Sequence, residues 1–266
     1  MYKNKEWLYN KYCNEQLSPK QIGELVGVGA QNIIYRLNKY CIPKRTQLEA
    51  IILSHKKADV NLTEKYKEFI IGNILGDGGV YISSSNKSGA TAAYAHSNKH
   101  LEILNYLTSK MKHIGFEQCG RIRKYIHRIN KATYYCYWTR NYKEFLWFRN
   151  YMYKDGKKII SRDLEFAPEV CLQWYLGDGS LSFSGHTPYV RICTEGFPID
   201  DVIYAVDKFT KMGLDAVRQP SCNTIRFVKG KSIDFLKYTG GCPEEIKDIY
   251  GYKFDLNRKG VIHAGL

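Results

Sequence analysis

The sequence has no long apolar run. Its longest, Phe69 to Leu75, has Asn73 inside it, whereas a helix that crosses a bilayer needs about 20 consecutive apolar residues. The chain also lacks the N-terminal succession of charged, apolar and small residues that directs secretion. We therefore expect a protein of the cytoplasm, or of an organellar matrix, that is not secreted and has no membrane partner.

Closely spaced cysteine pairs are also missing. A zinc knuckle has about two residues between its cysteines, and none of the eight cysteines approaches that spacing. The eight are Cys13, Cys41, Cys119, Cys136, Cys171, Cys193, Cys222 and Cys242. We predict that they are reduced and lie in the core.

Acidic residues are few relative to basic ones. The 266 residues include 40 Lys and Arg against 26 Asp and Glu, which gives a net charge of +14. The 44% hydrophobic and 14% aromatic content is typical of a folded protein with one or two domains. A strong positive charge favours a nucleic acid as partner. The alternative is a basic but otherwise ordinary soluble surface.

Residues 1–45 predict a small helical domain. Ser18 and Pro19 open one helix as N-cap and first-turn proline, and a glycine turn at 27–29 leads into a second helix from Ala30 to about Tyr40. A helix near residues 6–12 precedes them. The pattern resembles the helix-turn-helix of bacterial and phage DNA-binding proteins, whose second helix enters the major groove. The exposed candidates for DNA contact are Gln31, Asn32, Tyr35, Arg36 and Lys39.

The alternative for this domain is a helical hairpin that contacts protein. DNA is favoured because residues 1–60 hold ten Lys and Arg against five Asp and Glu. Residues 46–62 are predicted to be a basic linker.

From residue 63 onward the order of elements occurs twice. Gly76-Asp77-Gly78 ends one helix, and Gly177-Asp178-Gly179 ends another 101 residues later. Each is followed by a predicted strand pair, an amphipathic helix, a second strand pair and a further helix. We predict a duplicated fold, with a first repeat at 63–160 and a second at 161–266.

Basic residues fall on the predicted strands and favour a DNA-binding sheet face. Arg121, Arg123 and His127 alternate along one strand of the first repeat. Their counterparts in the second repeat are Arg191, Arg218, Arg226 and Lys229. The alternative for any one of them is a charge that protects a strand edge.

The paired Gly-Asp-Gly segments, each at the end of an apolar helix, resemble the double signature of the LAGLIDADG homing endonucleases. The resemblance covers about residues 63–255. It implies an α+β fold of two pseudo-symmetric αββαββα repeats, packed through the two motif helices and preceded here by the all-α helix-turn-helix domain. It also implies cleavage of both strands of a long, asymmetric DNA site.

The two aspartates predict a metal site on physical grounds as well. A carboxylate at a helix C-terminus lies against the negative end of the dipole and beside unpaired carbonyls, which is unfavourable unless a cation binds. Asp77 and Asp178, with backbone carbonyls near Gly76 and Gly177, are hard oxygen ligands suited to Mg²⁺. Gly72 and Gly76 allow a close helix approach, whereas Gln173 and Trp174 of the second helix are larger than the family's usual residues.

Members of this family also use a lysine near the end of each repeat. By local resemblance the candidates are Lys158 and Lys253, and an ordinary surface lysine is the alternative for each. His96, at the end of a strand, is either a polar group near the cleavage site or a structural histidine.

These features predict a metal-dependent, site-specific double-strand DNA endonuclease that acts as a monomer. The alternatives are a DNA-binding regulator of the same fold without cleavage activity, or a maturase with intron RNA as partner. Two aspartates at equivalent helix ends favour the nuclease, because a protein that only binds DNA has no need of metal ligands.

Overall fold

A computed structural model describes residues 2–54, 60–82, 91–126, 131–228 and 230–257. The described residues fall into two compact units. One is N-terminal and ends at Ser54, and the other contains all described residues from Val60 onward.

The N-terminal unit is helical. Its elements are α1 (Lys5–Tyr9), a π-helical turn (Asn10–Asn14), α2 (Pro19–Val26), α3 (Ala30–Lys39) and α4 (Gln47–Ser54). Ser18 and Gln21 form a reciprocal capping box at the start of α2, and Gly27 ends that helix with a left-handed φ of 71°. Such caps set the predicted helix boundaries. Helix α4 lies in the segment predicted as a linker.

Buried apolar side chains hold the helical unit together. Leu8, Ile22, Ile33 and Leu37 are fully buried in it. Arg45 holds the segment after α3 against the π-helical turn, because its guanidinium lies 4.0 Å above the ring of Tyr12 and donates to backbone carbonyls. This arginine is therefore engaged within the unit.

The second unit contains two αββαββα repeats, as predicted. The first is α5 (Glu64–Leu75), β1 (Gly78–Tyr81), β2 (Ala93–Asn98), α6 (Leu101–Ile114), β3 (Arg123–Ile126), β4 (Thr133–Trp138) and α7 (Glu144–Met152). A short hairpin follows, with β5 (Tyr153–Lys154) and β6 (Lys157–Lys158).

The second repeat is α8 (Pro168–Asp178), β7 (Gly179–Ser184), β8 (Thr187–Ile192), α9 (Ile199–Lys211), β9 (Ala216–Gln219), β10 (Thr224–Phe227) and α10 (Lys231–Tyr238). Helix α11 (Lys247–Tyr250) and a 3₁₀ turn (Gly251–Lys253) complete it. The two antiparallel sheets share one topology, β1-β2-β4-β3 and β7-β8-β10-β9. A duplicated sequence pattern has produced a duplicated fold.

The motif helices α5 and α8 pack against each other through small residues. A Cβ atom added to Gly72 would lie 2.5 Å from the carbonyl oxygen of Val170 and 2.7 Å from the Cβ of Gln173. Nearer the C-termini, a Cβ on Gly76 would lie 3.3 Å from the Cα of Gly177. The larger residues of α8 do not prevent this approach, since Gly72 makes room for Gln173.

The free edge of β1 is covered by side chains from α7 and β5. The hydroxyl of Tyr153 accepts a hydrogen bond from the Val80 N–H at 3.0 Å, and Arg149 donates to the Val80 carbonyl at 2.9 Å. Because an open strand edge invites pairing with other chains, these contacts protect the sheet. They also join the β5–β6 hairpin to β1.

All eight cysteines are free, but their predicted placement in the core was wrong for most of them. Only Cys171 is buried, and Cys41, Cys119 and Cys193 are exposed. Burial depends on which face of an element a residue occupies, and residue type alone does not decide it. Within the described ranges, no helix combines the length and apolarity needed to cross a membrane.

Candidate active site

The four residues predicted to be catalytic come together at the C-terminal ends of the motif helices. Asp77 follows α5, and Asp178 is the last residue of α8. Lys158 and Lys253, far away in sequence, each donate to a carbonyl at one of these helix ends. The structure therefore brings two carboxylates and two ammonium groups into one cluster.

A tight hairpin positions Lys158. Asp155 and Gly156, with φ of 50° and 78°, form the turn between β5 and β6, and an Asp-Gly pair is well suited to such a two-residue turn. The Lys158 Nζ atom donates to the Gly76 carbonyl at 2.7 Å. A cation at a helix C-terminus is stabilised by the dipole and by the unpaired carbonyls.

Lys253 occupies the corresponding place beside α8. Its side chain is buried, with 6% exposed, and its Nζ donates to the Leu176 carbonyl at 2.6 Å. The Tyr175 hydroxyl donates to the backbone carbonyl of Lys253 at 2.6 Å. Burial lowers the pKa of the Lys253 ammonium to about 8, although Asp77 and Asp178 favour its charged form.

The surroundings of the carboxylates favour a bound cation. Burial raises the pKa of Asp178 to about 7, and the charge of Asp77 adds to the increase. Asp77 is exposed to solvent, yet the surrounding protein displaces enough water to raise its pKa as well. A nearby cation stabilises the ionised form of both carboxylates and so offsets the cost of burying their charge.

The lysines and aspartates interact crosswise between the repeats. Among the charges that favour ionised Asp77, Lys253 of the second repeat has the larger effect, followed by Lys158. For Asp178 the order is reversed, with Lys158 of the first repeat ahead of Lys253. Each lysine is thus hydrogen-bonded to its own repeat's helix and electrostatically coupled most strongly to the other repeat's carboxylate.

Uncharged polar side chains lie beside Asp77. Together with Asp77 they line a small cavity of about 20 Å³, among them Asn73, His96 and Asn98. The His96 ring is buried, with its Nδ1 3.0 Å from the Tyr94 hydroxyl, and burial lowers its pKa to about 3. His96 is therefore a neutral group near the centre. His96 is buried, as a structural histidine would be, and it also lies beside Asp77, as a site residue would.

The donor set fits a hard divalent cation. Carboxylate oxygens of Asp77 and Asp178 and the carbonyl oxygens of Gly76 and Gly177 are the ligands that Mg²⁺ and Ca²⁺ prefer. Across the described residues, no group of three or more His, Cys, Asp or Glu side chains forms a metal site. Any ion held here would keep coordination positions for water and phosphate oxygens.

The sheet register determines which predicted DNA-contacting arginines share a face. Arg191 and Arg226 are directly opposite each other on β8 and β10. Arg218 pairs with Ile225, the buried neighbour of Arg226, so alternation places it on the other face. Its Nε donates to the Asn223 side chain at 2.7 Å. Arg218 therefore does not lie with Arg191 and Arg226.

In the first sheet, Arg121 and Arg123 are exposed, and Arg123 pairs with Cys136, on the same face as Trp138. His127 and Lys229 lie outside the described residues. On α3 of the N-terminal unit, the predicted residues share one side, with Ile33 and Leu37 buried opposite. Gln31, Asn32, Tyr35 and Lys39 are exposed there, and Arg36 is half-buried.

Sequence reasoning missed the β5–β6 hairpin that positions Lys158, although Asp155-Gly156 is a strong hairpin signal. It also missed Asn98, which lies beside Asp77. The Asn98 side chain donates to the Tyr250 hydroxyl at 2.8 Å. Its signal was its spacing from His96, two residues along one strand. The contact with Tyr250, from the end of the other repeat, could not be read from sequence.

Comparison with protein families gives a match over most of the second unit. The model of the LAGLIDADG DNA endonuclease family matches residues 67–232. This segment contains both Gly-Asp-Gly motifs, both sheets and Lys158.

This chain is also similar to individual proteins. An uncharacterized protein of Methanocaldococcus jannaschii is 29% identical over 196 residues, which cover 73% of each chain. The structure of the homing endonuclease I-WcaI bound to its DNA recognition sequence has a TM-score of 0.66 and 20% identity. That match covers 82% of this chain and 98% of the other, and it shows that the two chains share a fold.

Proposed function

Since this chain belongs to the LAGLIDADG DNA endonuclease family, we propose that it is a site-specific endonuclease that hydrolyses both strands of a long, asymmetric DNA target with Mg²⁺. The observation that carries this proposal is the cluster of Asp77, Asp178, Lys158 and Lys253 at the crossing of α5 and α8. A protein that only binds DNA gains nothing from two carboxylates whose pKa values are raised by burial.

The roles follow from the geometry. Asp77 and Asp178, with the carbonyl oxygens of Gly76 and Gly177, hold the cation. A cation bound there would supply Lewis-acid chemistry, namely activation of water and neutralisation of charge on the scissile phosphate. Lys158 and Lys253, which are fixed by carbonyl hydrogen bonds before DNA arrives, stabilise the negative charge that develops on the phosphate.

Double-stranded DNA as partner is supported by the charge of +14 and by the DNA bound to I-WcaI, whose fold is similar. The exposed arginines of both sheets contact the DNA, and the helical unit adds contacts at one end through α3. Both halves of the site belong to one chain, so we propose that a monomer cleaves both strands. Such cleavage would serve the mobility of an intron or intein.

The test is incubation of the full chain with a library of duplex DNA sites in Mg²⁺ and, separately, in Ca²⁺. We expect double-strand cleavage in Mg²⁺. Asp77→Asn and Asp178→Asn should each abolish it and keep DNA binding, whereas Asp207→Asn, on the exposed side of α9, should cleave normally. Binding without cleavage in every cation would favour the regulator, and preferential binding of structured intron RNA would favour the maturase.

A further inference from the structure

The two sheets carry different side chains at equivalent positions beside the active site. The residue after each aspartate starts the first strand of its sheet, where Gly78 pairs with His96 and Gly179 pairs with Ile192. One step further along, on the face directed away from the core, both sheets have a pair of opposed residues. The pair is Ala95 and Trp138 in the first sheet and Arg191 and Arg226 in the second.

The contrast extends to the next position on the same faces. In the first sheet Tyr81 pairs with Ala93, and the Tyr81 and Trp138 rings are 5.3 Å apart. Both rings are exposed, by 51% and 38%. This part of the face is therefore apolar and aromatic.

In the second sheet Ser182 pairs with Tyr189, and Ser180 pairs with Arg191. The Arg226 guanidinium lies 4.5 Å above the Tyr189 ring, which orients it. This part of the face is therefore polar and rich in hydrogen-bond donors.

The opposed arginines cost the folded protein stability. Like charges directly across a strand pair repel each other. Neither Arg191 nor Arg226 forms an ion pair with an acidic residue in the described part of the chain. A close positive pair without acidic partners favours a ligand that offers several hydrogen-bond acceptors in one place.

Within duplex DNA, phosphates and guanine edges both meet this requirement. Strands that enter the major groove face the bases, where an arginine donates two hydrogen bonds to guanine O6 and N7. Arg191 and Arg226 lie on the two central strands of their sheet, directed at the floor of such a groove. Alanine has no hydrogen-bond donor, and tyrosine and tryptophan each have only one, so none of them can form the paired hydrogen bonds of an arginine with guanine. Apolar and aromatic surfaces instead contact the thymine methyl group.

We propose that the two half-sites of the DNA target differ in base composition next to the cleavage point. The half-site under the second sheet has guanines that Arg191 and Arg226 read. The half-site under the first sheet has A·T pairs whose thymine methyl groups pack against the exposed Tyr81 and Trp138 rings. This inference rests on the proposed function, because it assumes that the sheets lie in the major groove of duplex DNA.

The experiment selects bound duplexes from a randomised library with the full chain in Ca²⁺, and then measures the affinity of each variant for the selected site and for single base changes. We expect guanines on one inner flank and A·T pairs on the other. Arg191→Ala and Arg226→Ala should weaken binding to the selected site by about 5- to 150-fold and remove the guanine preference on that flank alone.

The double variant Ala95→Arg with Trp138→Arg should acquire a guanine preference on the opposite flank. Arg140→Ala is the matched control for the two arginines of the second sheet, because Arg140 is an exposed arginine outside that sheet and is paired with Glu117, and it should leave the guanine preference unchanged. Thermal unfolding of each variant establishes that it is folded.

Uniform weakening on all sequences by Arg191→Ala and Arg226→Ala would overturn the inference, since it would mean that the arginines contact phosphates. An inner flank without guanine would overturn it too. Failure to select any duplex would refute the proposed function itself, and that result is distinct from a selected site with the wrong composition.

Discussion

Substitution of Gly72 by alanine tests the packing that brings the two aspartates together. In a helix interior, alanine is more favourable than glycine by about 1 kcal/mol. At this position, however, the new Cβ would lie 2.5 Å from the Val170 carbonyl oxygen and 2.7 Å from the Cβ of Gln173. The first of these is backbone and cannot move by rotamer change, so α5 and α8 must separate.

Overpacking of this kind costs about 1–3 kcal/mol, which equals or exceeds the gain in helix propensity. We therefore expect Gly72→Ala to lower the free energy of unfolding by about 0–2 kcal/mol and to weaken divalent-cation binding, because Asp77 and Asp178 move apart with their helices. The measurements are thermal unfolding with a chelator present and titration with Ca²⁺.

The matched control is Gly251→Ala. Gly251 also has helical dihedral angles, with φ of −55° and ψ of −30°, but its added Cβ would meet only the flexible Lys247 side chain at 3.4 Å. This variant should keep or gain stability. A Gly72→Ala protein that is stabilised as much as Gly251→Ala, with unchanged Ca²⁺ affinity, would refute the close-packing argument.

Three further predictions concern the charged centre and the helical unit. With a chelator present, Asp178→Asn should leave the unfolding temperature unchanged near pH 4 and raise it at pH 8. The reason is that a carboxyl pKa raised from 3.8 to about 7 destabilises the folded state progressively as pH rises between these values. A gain in unfolding temperature that is the same at both pH values would contradict this. Lys253→Met and Lys158→Met should each slow single-turnover cleavage, with Lys253→Met affecting most the strand cut beside Asp77, as strand-specific labels would show; equal rates for variant and wild type would mean that these lysines are structural. Residues 61–266 should still cleave DNA, but with a flatter dependence of log affinity on log salt, by roughly 0.9 for each phosphate that the helical unit neutralises in the full chain, and without preference for one extended flank; an unchanged slope would favour a protein-binding role for the helical unit.

The repeated architecture could be read from the sequence because its signals are local. Apolar periodicity, the Ser18 cap and the glycines that end α2 and α6 each act within a few residues. The two Gly-Asp-Gly segments likewise indicated that the aspartates occupy equivalent helix ends. Strand order and pairing register are not local, since they depend on turns and on burial of one face.

The residues around the aspartates show where sequence reasoning stopped. Lys158 and Lys253 were found by resemblance, but their crosswise coupling to Asp178 and Asp77 depends on how α5 and α8 cross. His96 was a candidate polar group near the cleavage site, but Asn98 on the same strand was missed. The contact of Asn98 with Tyr250, from the end of the other repeat, depends on the tertiary structure.

By itself, the sequence determined that this is a basic, duplicated α+β protein with an aspartate at each of two motif-helix ends, because composition and periodicity are properties of the chain. Only the tertiary structure decided that Arg191 and Arg226 oppose each other while Arg218 lies on the other face. Alternation shows which residues of one strand share a face, but it says nothing about the neighbouring strands. The register of β8 with β10 and of β10 with β9 shows which residues of different strands share a face. The two different surfaces beside the aspartates therefore arise from register, which packing of the buried faces sets.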